Sequence, residues 1–407
     1  MKRRDIIKFF SAAPLTGGII GAILPYGPVK AEPAPPKEKR DLIKELGLRT
    51  FINAAGTYTT MTASLMHEEV LDAINSSAKE FIMLDEVHDK VGEKIAALCK
   101  CESAMVTSGC WSALVLGTAG VLTGMDEKKI AMLPNVESLE KNEVIVQKGH
   151  NHDYIHALTN TGIKPVEVES AEDLQKAIGS KTALMYFLNE SAPHGKIMHE
   201  EWIAVAKKNN IPTIIDIAAD VPPVENLWKY TQIGFDLVCV SGGKAIRGPQ
   251  SAGLLLGKKE HIAASRLNGP PRGGNIGRGM KVNKEEMFGM YAALDKFVHL
   301  DHEKEWKMWE DRIAVIENAA KKVKGVTTEV IVPPIANHTP ALKISWDVNQ
   351  VKISRKDLQD KLRKGTPSIE VMGSEDNIIN ITVFMLKPGQ EKIVAGRINE
   401  ELMKASV

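Results

Sequence analysis

Two apolar runs with one lysine between them constrain this chain more than any other feature. Residues 235–240 read as a buried strand, and residues 252–256 read as another. The segment joining them is Ser241-Gly242-Gly243-Lys244, continuing through Gly248-Pro249-Gln250-Ser251. An ammonium held between two core strands carries a desolvation cost. Schiff-base chemistry gives that position a purpose, because desolvation lowers the amine pKa and leaves a nucleophile.

A second anchor lies upstream, where the run 212–217 carries Asp216 at the end of a strand. A carboxylate there sits where open α/β sheets place their ligands. The 28 residues from Asp216 to Lys244 leave room for one helix, 224–233, and one strand. An aspartate for a protonated pyridine nitrogen and a lysine for an aldehyde together describe a pyridoxal 5'-phosphate (PLP) site. A capping aspartate and a surface lysine on a hairpin form the plain alternative. The unbroken α/β pattern around both residues argues against it.

That pattern is long. Strand-like segments at 103–107, 143–147, 164–168, 182–188, 212–217, 236–240 and 252–256 alternate with helix-like segments at 111–122, 152–161, 171–178, 200–209 and 224–233. Such alternation predicts an α/β fold: a mostly parallel seven-stranded sheet with helices on both faces. No helix precedes the last strand, which predicts one antiparallel member. Farther on, strands at 327–332, 341–346, 368–372 and 377–382 with helices at 355–363 and 390–403 predict a small α+β C-terminal domain. The expected organisation is an export signal at 1–31, a linker at 32–40, an N-terminal arm and helix at 41–80, a large domain at 81–295 and the small domain at 296–407.

The stretch 241–253 resembles fold-type I PLP-dependent enzymes. Within them it is similar to the selenocysteine synthase (L-seryl-tRNA(Sec) selenium transferase)-like group, which includes the D-glucosaminate-6-phosphate ammonia-lyase branch. Phe51-Ile52-Asn53-Ala54-Ala55-Gly56-Thr57-Tyr58 and Val106-Thr107-Ser108-Gly109-Cys110 carry the same likeness. The resemblance implies the PLP-dependent transferase fold, with Lys244 as the Schiff-base lysine, Asp216 as the ring-nitrogen partner and PLP as cofactor. It implies chemistry at Cα and Cβ of an amino acid or amino-sugar acid, with an eliminating lyase ranked first. A selenocysteine synthase-like transferase and a racemase are the alternatives. An exported binding protein that keeps the fold without turnover is the reading from another class; the Lys244 and Asp216 pair counts against it. The resemblance also implies a homodimer with the site at its interface. Lys364-Gly365-Thr366-Pro367-Ser368-Ile369 departs from the Asp-Pro-Pro-type turn expected of the family, which leaves the substrate pocket open.

Further site candidates follow. Ser108-Gly109-Cys110 joins a strand to a helix, and N–H groups at a helix N-terminus bind anions. The PLP phosphate is expected there, with Ser241 a second candidate. After strand 143–147 come His150, His152 and Tyr154. In fold-type I enzymes a ring after this strand stacks on the pyridine; His150 is the first choice, with His152 and Tyr154 as rivals. The His-x-His spacing invites a zinc reading, but no further ligand cluster is evident, and no metal is assigned. Asn189 is a candidate to hydrogen-bond the cofactor hydroxyl or the substrate. His194 reads as an exposed loop histidine rather than an acid or base. The glycine-rich segment 268–281 carries Arg272, Arg278 and Lys281 and matches no dinucleotide fingerprint. It suits an anionic substrate or a neighbouring subunit's cofactor phosphate, and the resemblance favours Arg278. The small-residue turn 53–57 is either a plain tight turn or a part of the site.

The N-terminus and the charge balance bear on compartment and partners. Lys2-Arg3-Arg4-Asp5-Ile6-Ile7-Lys8 precedes an uncharged run, and the paired arginines point to twin-arginine export to the periplasm. Glycine and proline break the run, so no stable membrane span is expected after signal removal. Without residues 1–31 the net charge is −3. Nucleic-acid binders are basic, so tRNA is not expected as a partner; the expected partner is a small amino substrate. The four cysteines, Cys99, Cys101, Cys110 and Cys239, fit no zinc spacing and read as small buried hydrophobes.

Overall fold

The computed structural model describes Arg40–Val407; the segments expected to be an export signal and, but for Arg40, a linker lie outside the described residues. Of the described residues, Arg40–Arg49 fall in one unit, with a short helix, Leu42–Glu45, capped by the Asp41 side chain. Thr50–Val407 forms the other.

Twelve strands order this second unit. The first, β1 (Ile52–Asn53), joins the C-terminal region. The next seven are β2 (Ser103–Thr107), β3 (Glu143–Gln147), β4 (Lys164–Val168), β5 (Thr182–Leu188), β6 (Thr213–Asp216), β7 (Leu237–Ser241) and β8 (Gly253–Gly257). They form one sheet in the order β2-β8-β7-β6-β5-β3-β4. β8 runs antiparallel to both of its neighbours, and the other pairs are parallel. The missing helix before residue 252 does mark this strand, because a short loop reverses the chain whereas a parallel return needs a crossover.

Both faces of the sheet's centre are covered, so its inner strands are largely apolar, while the edge strand β4, with Lys164 and Glu167, is mostly exposed. On β5, Met185 and Phe187 enter one core while Leu184, Tyr186 and Leu188 enter the other, as the two-residue period of a strand dictates. Helix Gly109–Thr123 is apolar on all sides because it is buried on nearly all sides. Two short, polar helices, Glu127–Met132 and Lys259–Leu267, have too few apolar residues to show a clear period in sequence. The helix expected at 152–161 shrinks to Ile155–Thr159.

The C-terminal region holds β9 (Val326–Ile331), β10 (Ala341–Trp346), β11 (Ile369–Glu370) and β12 (Ile378–Thr382). An antiparallel sheet, β12-β10-β9, packs against helices His302–Ala320, Arg355–Lys364 and Gln390–Lys404. β1 pairs in parallel with β11, and Ile52 and Ala54 join this core. The segment Ile52–Ala54 of the N-terminal arm is thus a structural part of the C-terminal region.

Candidate active site

Asp216 ends β6 and is 3% exposed. Its Oδ1 accepts the Ala218 N–H at 2.8 Å and the Cys110 S–H at 3.5 Å. Burial pushes its carboxyl up to about 6, while the Ala218 N–H and the Lys244 charge pull the other way. Lys244 stands half-buried in the turn between β7 and β8. Ser64 clamps that turn: its Oγ lies 2.7 Å from each of the Gly243 and Lys244 carbonyls. Arg247 adds a bond from Nε to the Leu65 carbonyl at 2.7 Å. At Gly243 a Cβ would lie 2.5 Å from Gln250 Cα, so the turn closes only with glycine there.

The strand register sets the anion end of the site. Thr107 faces Gly253, and Gly253 faces Ser241. Ser108, Gly109 and Cys110 therefore share one sheet edge with Ser241, where helix Gly109–Thr123 begins and its first N–H groups lack helical partners. A Cβ on Gly253 would lie 2.4 Å from Gly109 C and 2.6 Å from Cys110 N. Gly253→Ala is expected to displace this turn and weaken PLP affinity about tenfold or more, measured by titrating the apoprotein with PLP.

A cavity of about 370 Å³ opens beside Lys244, with Tyr154, Glu190, Asn337, Thr339 and Thr382 among its lining. Residues 55–59 form another wall. Asn53 builds the turn that leads into it, its Oδ1 accepting from Ala55 N–H (3.0 Å) and Gly56 N–H (3.2 Å). Burial and the Glu190 charge raise the Tyr154 phenol pKa, which keeps it protonated at neutral pH. A broader cleft of about 870 Å³ lies wholly on the C-terminal region. Its Lys361, Arg397 and Lys404 are already paired with Glu401. The residues beside Lys244 fit PLP: a buried carboxyl that lacks a cationic N–H, a lysine next to it, and an N–H cradle tied to that carboxyl through Cys110.

The L-seryl-tRNA selenium transferase (SelA) family model matches residues 51–336. The chain belongs to this family. Among SelA-like relatives, a D-glucosaminate-6-phosphate ammonia lyase of Salmonella typhimurium is 26% identical over 376 residues, covering 88% of this chain and 97% of that protein. An L-seryl-tRNA(Sec) selenium transferase of Alkaliphilus oremlandii is 25% identical, with 88% and 82% covered. The solved structure of D-glucosaminate-6-phosphate ammonia-lyase matches with a TM-score of 0.78 at 24% identity, covering 90% of this chain and 100% of that one. PLP-bound structures stand among more distant fold neighbours. The chain is a PLP-dependent enzyme of fold type I.

Within this SelA-family site the residues singled out from sequence divide. Lys244, Asp216, Ser108, Gly109, Cys110 and Ser241 come together. His150 does not line the cavity. A 3₁₀ turn, Lys148–His150, carries it inward, where its Nδ1 accepts the Leu188 N–H at 3.3 Å and its ring meets Phe187 edge-on at 4.6 Å. His152 Nε2 lies 2.8 Å from Ser191 Oγ. Tyr154 is the one of the three rings that lines the cavity. Asn189 is 2% exposed and outside the lining; its Nδ2 donates to Tyr230 Oη at 2.9 Å and its Oδ1 lies 2.8 Å from His199 Nε2. It braces the floor beneath the site. His194 lies in the 3₁₀ segment Asn189–His194, also outside the lining.

The arginine expectations also meet a different geometry. Arg272 pairs with Asp85 at 3.3 Å, and Arg278 is exposed beside Pro270 and Lys281; neither lines the Lys244 cavity. Asn275 pins their loop, its Nδ2 donating to the Leu267 and Gly269 carbonyls at 3.0 and 3.1 Å. Sequence reasoning missed Ser64, Glu190, Asn337, Thr339 and Thr382. Glu190 directly follows β5 beside Asn189; the others reach the site through long-range packing, and no local motif marks them.

Proposed function

We propose that this enzyme eliminates water from an amino-sugar acid or a β-hydroxy amino acid, releasing ammonia and a 2-oxo acid. One observation carries the reading: Lys244 opens onto a cavity whose walls present Thr57, Thr59, Asn337, Thr339 and Thr382. Hydroxyl and amide groups match a polyhydroxylated chain, which both donates and accepts hydrogen bonds. The ammonia lyase that is 26% identical names an amino-sugar acid substrate, in support.

PLP, when bound, supplies the sink for the electron pair left at the substrate Cα. The remaining work falls to the protein. Asp216 would keep the ring nitrogen protonated, and the Ser108–Cys110 turn with Ser241 would hold the phosphate. Tyr154, on the cavity wall, would present its protonated phenol to the bound substrate. The Lys244 amine would take the Cα proton on Nζ. The Cβ–O bond would then break, and the departing hydroxide would take the proton held on Lys244 Nζ and leave as water. Hydrolysis of the released enamine gives the 2-oxo acid and ammonia.

A selenium transferase reading has the family model in its favour. The net charge of −3 without residues 1–31 offers tRNA no basic footprint. Export through the twin-arginine route remains part of the proposal, supported by Arg3-Arg4, since that route carries folded, cofactor-loaded proteins. No helix among the described residues is long and apolar enough to cross a membrane. A homodimer is supported by Phe81 and Met83, 106% and 76% exposed, an apolar pair that a second copy would cover; gel filtration tests it.

The decisive assay incubates PLP-loaded enzyme with D-glucosaminate, its 6-phosphate and a panel of amino acids, and measures ammonia and 2-oxo acid. Release of both from an amino-sugar acid or a β-hydroxy amino acid is expected. Racemisation of an amino acid with no ammonia would overturn the lyase reading.

A further inference from the structure

The segment 333–339 reaches from the C-terminal region to the Lys244 cavity, where Pro333, Asn337 and Thr339 form part of the wall. Its backbone is held in an unfavourable shape. Ala336 and Asn337 are both left-handed, with φ of 53° and 49°. A Cβ disfavours that region, and alanine has no side-chain polar group to offset the cost. Two bonds from the loop after β6 hold the segment there. Ala336 N–H donates to Asp220 Oδ1 at 3.0 Å, and Asn337 N–H donates to the Ala219 carbonyl at 2.6 Å. The segment's other bonds are internal: Thr339 N–H to the Asn337 carbonyl at 2.6 Å, and His338 Nδ1 to the Pro333 carbonyl at 2.8 Å.

Asp220 is well placed to hold this segment. It is 3% exposed, and Asn226 Nδ2 donates to its main-chain carbonyl at 2.6 Å, which fixes its backbone. Asn189, braced by Tyr230 and His199, lies beside its carboxylate. A buried carboxylate oxygen aimed at a main-chain N–H makes a charge-assisted bond that is costly to lose.

We propose that Asp220 is a positioning residue for substrate: by holding Ala336 in its left-handed turn, it sets Asn337 and Thr339 on the cavity wall. The proposal rests on the reading that this cavity receives the substrate. Asp220→Ala is expected to raise KM for D-glucosaminate about tenfold, with kcat and the visible band of the PLP-loaded enzyme little changed. Asp220→Asn keeps an acceptor oxygen and is expected to stay near the wild-type KM. Adding Ala336→Gly to Asp220→Ala is expected to restore most of the lost affinity, because glycine adopts that φ unaided. A general packing defect at Asp220 would not respond to a change at Ala336. If the alanine variant does not accumulate, Asp220→Ser serves, since its hydroxyl is too short to reach Ala336.

A wild-type KM in Asp220→Ala, or a defect that Ala336→Gly leaves untouched, overturns the proposal. If the wild type does not turn over D-glucosaminate, the substrate reading falls instead. Hydrogen exchange then judges Asp220: the Ala336 and Asn337 amides should exchange about tenfold faster in Asp220→Ala and at the wild-type rate in Asp220→Asn. Unchanged exchange in Asp220→Ala overturns the proposal.

Discussion

Replacing Lys244 with alanine is expected to abolish the visible absorption of the PLP-loaded enzyme and to lower turnover by about 10³-fold or more. Two roles end together. Lys244 is the only lysine in the cavity lining, so no other amine is at hand to hold the cofactor covalently or to take the Cα proton. The phosphate cradle and Asp216 are untouched, so the variant still binds PLP without the covalent bond. A small amine such as methylamine, diffusing into the vacated space, should restore part of the rate. Full activity in Lys244→Ala would remove the lysine from the mechanism and the Schiff-base reading with it.

Asp216→Asn is expected to cost about 10²-fold in turnover while leaving the fold intact. The side chains are nearly the same shape, but asparagine carries no charge to keep the ring nitrogen protonated. A second signature follows from burial. The folded Asp216 carboxyl titrates at about 6, above its ordinary 3.8, so the folded protein binds that proton more tightly than the unfolded chain does. The resulting stability is present at pH below about 4 and is lost as pH rises through about 6. Asparagine has no such loss. The apo variant should therefore melt above the apo wild type at pH 7.5, by no more than the equivalent of about 3 kcal/mol, and the gap should close toward pH 4. Loading the wild type with PLP should also narrow it, because the ring N–H gives the carboxylate its missing cation. Calorimetry on both proteins across this range checks the sign. A variant less stable than wild type at pH 7.5 would contradict the account of Asp216 as a carboxyl held against its solvation preference.

Much of this was readable before any coordinates. The seven strands and the antiparallel β8 follow from apolar runs and from the presence or absence of an intervening helix, which are local signals. Lys244 and Asp216 stood out because ionisable groups beside core strands are costly, and that conflict is visible within a few residues. Ser108-Gly109-Cys110 could be found because strand, turn and helix follow one another directly.

Other features required the folded chain. Three rings follow β3, and their spacing does not tell which one reaches the cavity; a 3₁₀ turn buries His150 and leaves Tyr154 on the wall. Arg272 looked available for an anion until the fold set Asp85 beside it. β1 pairs with β11 from the far end of the chain, and Ser64 clamps the Lys244 turn from the N-terminal arm. The bond from Ala336 to Asp220 is of the same kind. The sequence alone thus determined the fold type and the cofactor and singled out Lys244 and Asp216 as candidates for the chemistry, because each leaves a mark within one turn or strand. Tertiary structure decided which side chains form the cavity walls, because those walls are built by segments that meet only after the sheet and the C-terminal region have closed around Lys244.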